Sequence, residues 1–109
     1  MANKFLTLTD KEELNQLMID SSNHPVVVFK HSNSCGISSA AYREMEKLDN
    51  VNLLDVHQSR ELSREVATIT GVEHESPQVI VLKNGKAVWN ASHYGVKAGA
   101  VAEALEANR

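Results

Sequence analysis

The sequence predicts an α/β domain in which a mixed central sheet is covered by helices on both faces, with the element order β-α-β-α-β-α-β-β-α. Three observations lead there. Residues 26–29 are a short apolar run of Val and Phe, the pattern of a strand buried on both faces, and residues 78–82 read as a further strand. The stretches between the early strands carry apolar residues at helical spacing, so those strands are joined by crossover helices and run parallel. Asn84-Gly85 is instead a two-residue hairpin turn, which requires an antiparallel pair. With 109 residues the chain can bury one core and not two, so residues 1–109 are expected to form one domain.

In chain order, Lys4-Phe5-Leu6-Thr7-Leu8 reads as a short edge strand because polar and apolar residues alternate. Thr9-Asp10-Lys11-Glu12 fits a capping box with Thr9 as N-cap. The helix that follows turns Leu14, Leu17 and Met18 inward and stops near Ser21-Ser22-Asn23. Pro25 opens the central strand, where its missing N–H costs little. Lys30-His31-Ser32-Asn33-Ser34 reads as a loop, with Asn33 or Ser34 capping a helix that begins close to Cys35 and carries Ile37, Ala41, Met45 and Leu48 on one face. Asp49-Asn50 is a turn, and residues 51–56 form the next strand. Ser59 is placed to cap a helix from Arg60 to about Thr70, with Leu62, Val66 and Ile69 inward and Gly71 as its stop. Residues 72–76 lead to Pro77, residues 78–82 and 86–90 form the hairpin, and Ser92-His93-Tyr94-Gly95 is a loop. Residues 97–107 close the chain as an Ala-rich helix with Val101, Ala104 and Leu105 inward. Trp89 and Tyr42 are read as packing residues.

Composition excludes several function classes. Eleven Lys and Arg stand against 14 Asp and Glu, and no basic run exceeds a pair, which argues against a nucleic-acid partner. No apolar run approaches membrane-spanning length, the first residues lack a secretory h-region, and the last carry no prenylation signal, so a soluble cytoplasmic protein with no membrane partner is expected. The five histidines show no zinc spacing, and with a single cysteine no metal is expected.

That cysteine, Cys35, sits at the change from strand to helix. A thiol in the first turn of a helix faces unpaired N–H groups and the positive end of the helix dipole, and both favour the thiolate. Cysteine pKa values in such settings fall to roughly 3.5–7.5. Cys35 is therefore a candidate nucleophile; the alternative for a lone cysteine is a small buried hydrophobe. One cysteine cannot make an internal disulfide, so any exchange chemistry needs an external sulfur. Ser38 occupies the position, one helical turn on, where dithiol enzymes carry a second cysteine. Its hydroxyl cannot resolve a mixed disulfide, but it can hydrogen-bond the thiolate, or it is simply a polar residue of the first turn.

The segment F-K-H-S-N-S-C-G-I-S-S-A-A-Y, then H-E-S-P-Q-V-I-V-L-K-N-G-K-A-V-W, then S-H-Y-G, fall in order along nearly the whole chain. Together they resemble the bacilliredoxin C (YtxJ) family of bacillithiol-system monothiol proteins, which have the thioredoxin fold. The resemblance implies a monothiol oxidoreductase that removes bacillithiol from S-bacillithiolated client proteins through Cys35. Bacillithiol would be a co-substrate, no cofactor would be tightly bound, and the protein would be a monomer. It further implies a cis bond before Pro77, with Ser76 presenting backbone groups to a bound thiol or chain. Bacillithiol carries a malate group with two carboxylates, for which Lys30, His31, His74 and His93 are the candidate partners at one end of the sheet, with His57 and Arg60 ranked below them.

Family members commonly carry proline after the cysteine, where this chain has Gly36. Glycine frees one more N–H for the thiolate, and Ser34, Gly36 and Ser38 are assigned to stabilising it. The resulting Cys-Gly-Ile-Ser is also similar to the Cys-Gly-Phe-Ser of monothiol glutaredoxins. This motivates an alternative, a module that binds an iron–sulfur cluster or senses oxidation.

Overall fold

The computed structural model describes residues 5–32 and 36–109, with the backbone alone for residues 36–38. The elements are β1 Leu6–Thr7, α1 Lys11–Asp20, β2 Val26–His31, α2 Gly36–Met45, β3 Val51–Asp55, α3 Arg60–Thr70, β4 Gln78–Lys83, β5 Lys86–Ser92, a single 3-10 turn His93–Gly95, and α4 Ala98–Ala107. The sheet order is β1-β3-β2-β4-β5. β1 and β2 run parallel to β3, whereas β4 is antiparallel to both β2 and β5. The mixed α/β sheet and element order are those expected, the 3-10 turn excepted. Lys4 and the α2 N-cap expected at Asn33 or Ser34 lie outside the described residues.

Strand alternation divides the core in two. Val27, Phe29, Val79 and Val81 pack with Ala41 and Met45 of α2 and Val101 and Ala104 of α4. Val26, Val28, Ile80 and Leu82 face the other way, against Leu14 and Leu17 of α1 and Leu62 and Val66 of α3. β2 extends two residues beyond the expected strand, through Lys30 and His31, and all six of its residues are buried. The polar pair read as loop continues the strand because β3 and β4 pair with it as far as Lys30↔Leu54, His31↔Asp55 and Lys30↔Gln78.

Other expectations shift by a residue or a face. The N-cap of α1 is Asp10, whose side chain accepts from the Glu13 N–H at 2.8 Å, rather than Thr9. Glu13 completes the reciprocal arrangement by accepting from both the backbone N–H and the hydroxyl of Thr9, and these bonds hold its carboxyl below the usual range. Two overlapping box patterns exist in Thr9-Asp10-Lys11-Glu12-Glu13, and the carboxylate is the stronger acceptor at the positive end of the helix. In the two-residue β1, Leu6 is exposed, while the flanking Phe5 and Leu8 are buried, one in each core cluster. Ile69 is exposed and Ser63 takes its place among the buried residues of α3. Ser59 sits at the N-cap without a side-chain bond; Asp55 Oδ1 instead accepts from the N–H groups of His57 and Gln58.

The hairpin turn follows its chemistry: Asn84 and Gly85 both have positive φ, 54° and 72°. A register shift at Val81/Leu82 puts Ala87 on the face opposite Trp89, and Trp89 covers the first core cluster. Asn84 N–H and Gly85 N–H donate to the carbonyl and hydroxyl of buried Ser21, tying the hairpin tip to the end of α1.

The cap assignment has a direct check. Asp10→Ala is expected to lower the unfolding free energy by about 1 kcal/mol, whereas Glu12→Ala, at an exposed position, changes it by less than about 0.5 kcal/mol. Urea unfolding midpoints of the two variants decide between the two caps.

Candidate functional site

The C-terminal ends of β2 and β3 and the N-terminal end of β4 lie side by side at one end of the sheet, since His31 pairs with Asp55 and Lys30 with Gln78. Lys30 is wholly buried there, and its Nζ lies 3.2 Å from His74 Nδ1. An ammonium offers no acceptor, so the histidine nitrogen accepts and the ring proton sits on Nε2. The Ser63 hydroxyl, buried on α3, lies 3.1 Å from the same nitrogen. Burial pushes the Lys30 amine down to about 8. The His74 pKa is lowered as well, first by burial and then by the Lys30 charge, against a smaller upward pull from Glu75.

His31 points to the other face of β2. Its ring lies 5.5 Å from that of Phe29 and 4.9 Å from that of Tyr42, and it borders a cavity of about 430 Å³ with Ser39, Tyr42 and Arg43. Strand geometry forces this separation from Lys30, because neighbouring residues alternate in direction.

The Ser76–Pro77 bond is cis. The Pro77 carbonyl accepts from the His93 N–H at 2.9 Å, and His93 Nε2 lies 3.3 Å from Glu75 Oε1, so the 3-10 turn is fastened to the proline segment. Gln78 Nε2 donates to the Glu73 carbonyl at 2.9 Å. Ser76 Oγ and Gln78 Oε1 are buried and have no hydrogen-bond partner among the described residues.

Beyond β3, His57 Nε2 lies 2.8 Å from Ser32 Oγ. The same region holds a cleft of about 320 Å³ lined by Val56, His57, Arg60, Ser63, Arg64 and His74.

Of the residues expected at the site, Lys30 and His74 are thus brought into contact, His31 lies across the strand from them, and His93 is paired with Glu75. His57 and Arg60, ranked lower from sequence, share a cleft with His74. Cys35 and Ser34 lie outside the described residues, and Gly36 and Ser38 are described as backbone of α2. Ser63, Arg64 and Gln78 join the site without having been expected there. The spacing 60, 63, 64 places two arginines and a serine on one helical face, a signal that the sequence itself carries. Gln78 has no such signal, since its burial follows from being opposite Lys30. Among the described residues no three His, Cys, Asp or Glu side chains gather as a metal site, and no helix is long and apolar enough to cross a membrane.

A family model described as monothiol bacilliredoxin BrxC matches residues 6–101. A solved structure described as a proposed oxidoreductase with a thioredoxin fold is 34% identical, with a TM-score of 0.84, and the match covers 93% of each chain. Two thioredoxins resemble this chain in fold alone. That of Malassezia sympodialis is 16% identical at a TM-score of 0.74, over 98% of this chain and 92% of its own. Thioredoxin f from spinach chloroplast is 22% identical at 0.73, over 98% and 95%.

The buried lysine sets a pH dependence. Between pH about 8 and 10.5 the unfolded chain holds a proton on Lys30 that the folded protein has released, so stability rises with pH across that window. Relative to Lys30→Met, the wild type is expected to gain on the order of 2 kcal/mol over the window. Paired urea titrations at several pH values measure this difference, in which the other titrating groups cancel.

Proposed function

The chain belongs to the monothiol bacilliredoxin family, and on that premise we propose that it is a thiol-disulfide oxidoreductase that removes bacillithiol from S-bacillithiolated client proteins. The observation that carries the reading is that the chain has one cysteine, Cys35, within the matched residues and immediately before the first residue of α2. A thiolate at a helix start is favoured by open N–H groups and the dipole.

The exchange balances as two displacements. The Cys35 thiolate attacks the bacillithiol sulfur of the mixed disulfide; the client sulfur leaves as a thiolate, and Cys35 carries the bacillithiol cap. A second bacillithiol thiolate then attacks the cap, giving bacillithiol disulfide and restoring Cys35. The client is reduced and bacillithiol oxidised, and a separate reductase returns the disulfide to thiol. Bacillithiol is a co-substrate in this scheme and nothing is tightly bound.

Ser34, Gly36 and Ser38 are assigned to stabilising the thiolate. Ser76 and Pro77 are assigned to the bound chain, and Lys30, His31, His74 and His93 to the substrate rim. The protein acts as a cytoplasmic monomer in this reading. The Ser76 hydroxyl, buried and without a partner among the described residues, supports a polar partner there, and the cationic groups on the Lys30 side support an anionic one.

Intact mass tests the function. After brief exposure to a bacillithiolated client, wild type is expected to gain one bacillithiol as the client loses it, and free bacillithiol then removes the cap. Cys35→Ala is expected to abolish the transfer, whereas Ser38→Ala, which removes at most one hydrogen bond to the thiolate, slows it by less than about tenfold. A client that still loses its cap to Cys35→Ala, or a Cys35 cap that free bacillithiol leaves in place, overturns the reading.

A further inference from the structure

We propose that the cleft walled by His57, Arg60, Arg64 and His74 is a dicarboxylate site, and that it holds the malyl end of bacillithiol during exchange; this second half rests on the function proposed above. The lining of the cleft contains two arginines and two histidines and no carboxylate. This lining is cationic in a chain whose formal net charge is −3.

Two carboxylates near the cleft are engaged elsewhere. Asp55 Oδ1 accepts from the N–H groups of His57 and Gln58, and Glu75 pairs with His93. The guanidinium groups are not: neither Arg60 nor Arg64 makes an ion pair among the described residues, and both are exposed. They stand four residues apart on one face of α3, with Ser63 between them, so two planar forks can each meet a carboxylate of one ligand.

Two features beneath the arginines strengthen the site. Lys30 is buried behind His74 with its ammonium 3.2 Å from the ring, a positive charge with no carboxylate in contact among the described residues. Ser59 makes no side-chain cap, which leaves the N–H groups of the first turn of α3 to an external acceptor. The volume, about 320 Å³, suits a small ligand rather than a chain. His74, which lines the cleft, stands two residues before the cis Ser76–Pro77 bond.

Two measurements test the site and keep it separate from the exchange function. In the first, malate is titrated into the reduced full chain and amide chemical shifts are followed. Saturable shifts at His57, Arg60, Arg64 and His74 are expected, lost in the double variant Arg60→Gln with Arg64→Gln and not reproduced by inorganic phosphate at the same concentration. Absent shifts, shifts that persist in the double variant, or equal shifts with phosphate overturn the dicarboxylate site. Both substitutions remove exposed side chains, so the fold is retained.

The second compares the rates at which Cys35 is capped by bacillithiol disulfide and by hydroxyethyl disulfide, which has no carboxylate. The double variant is expected to lower the ratio of the two rates by about tenfold or more. Lys86→Gln with Arg109→Gln, which removes the same charge at the opposite end of the sheet, is expected to leave the ratio unchanged. An unchanged ratio in the first variant, or an equal fall in the control, overturns the malyl assignment. If wild type is not capped by bacillithiol disulfide at all, the exchange function and the malyl assignment fail together, and the malate titration alone decides the dicarboxylate site.

Discussion

Because β2 is hydrogen-bonded on both edges and packed by helices on both faces, each of its residues must send its side chain into one interior or the other. Alternation then assigns the faces. Phe29 and His31 join the α2 and α4 side, whereas Val28 and Lys30 join the α1 and α3 side. The apolar residues meet this constraint by contact alone. Lys30 and His31 meet it only with polar or aromatic neighbours, so the end of the strand gathers chemistry around itself: His74 and Ser63 at the lysine, Phe29 and Tyr42 at the histidine.

A buried ammonium is costly, and among the described residues that cost is lowered without a counter-ion. The Lys30 Nζ meets a neutral imidazole nitrogen, whose lone pair accepts one of its three hydrogens. The two groups are consequently linked, since protonating His74 would set two cations against each other. Both pKa values are pushed down, with burial the first cause in each. Positive charge is thereby retained at neutral pH on the side of the sheet where Arg60 and Arg64 stand. A lysine–carboxylate pair in the same place would have cancelled it.

Polar ties between elements hold the sheet and its helices in register. The Glu44 carboxylate on α2 accepts the Ala98 N–H at the start of α4 and pairs with Lys47, which keeps its carboxyl below the usual range. The His93 N–H reaches back to the Pro77 carbonyl, and Val56 N–H donates to the His31 carbonyl. Asn52, buried on β3, donates to the Val27 carbonyl. Apart from the Glu44–Lys47 pair, these bonds join segments that are far apart in the chain, and each satisfies a backbone group.

The order of elements, the mixed sheet, the hairpin at Asn84-Gly85, the left-handed stop at Gly71 and the family motifs were legible in the sequence, because all depend on local periodicity, turn chemistry or residue identity at fixed spacing. The same local information misplaced the α1 cap, where two overlapping boxes compete, and ended β2 too early, where burial by neighbouring strands overrides a polar pair. The sequence and its family resemblance put Lys30 and His74 at one end of the sheet, and helical spacing puts Arg60, Ser63 and Arg64 on one face, but the contact of Lys30 with His74 and Ser63 belongs to the tertiary structure, as does the single cleft shared by His57, Arg60, Arg64 and His74. Both follow from strand pairings that set the ends of β2, β3 and β4 side by side and from the segments after them that bring His57, Ser63 and His74 to Lys30's side, and no pattern within a single segment encodes which distant side chain a buried amine will meet.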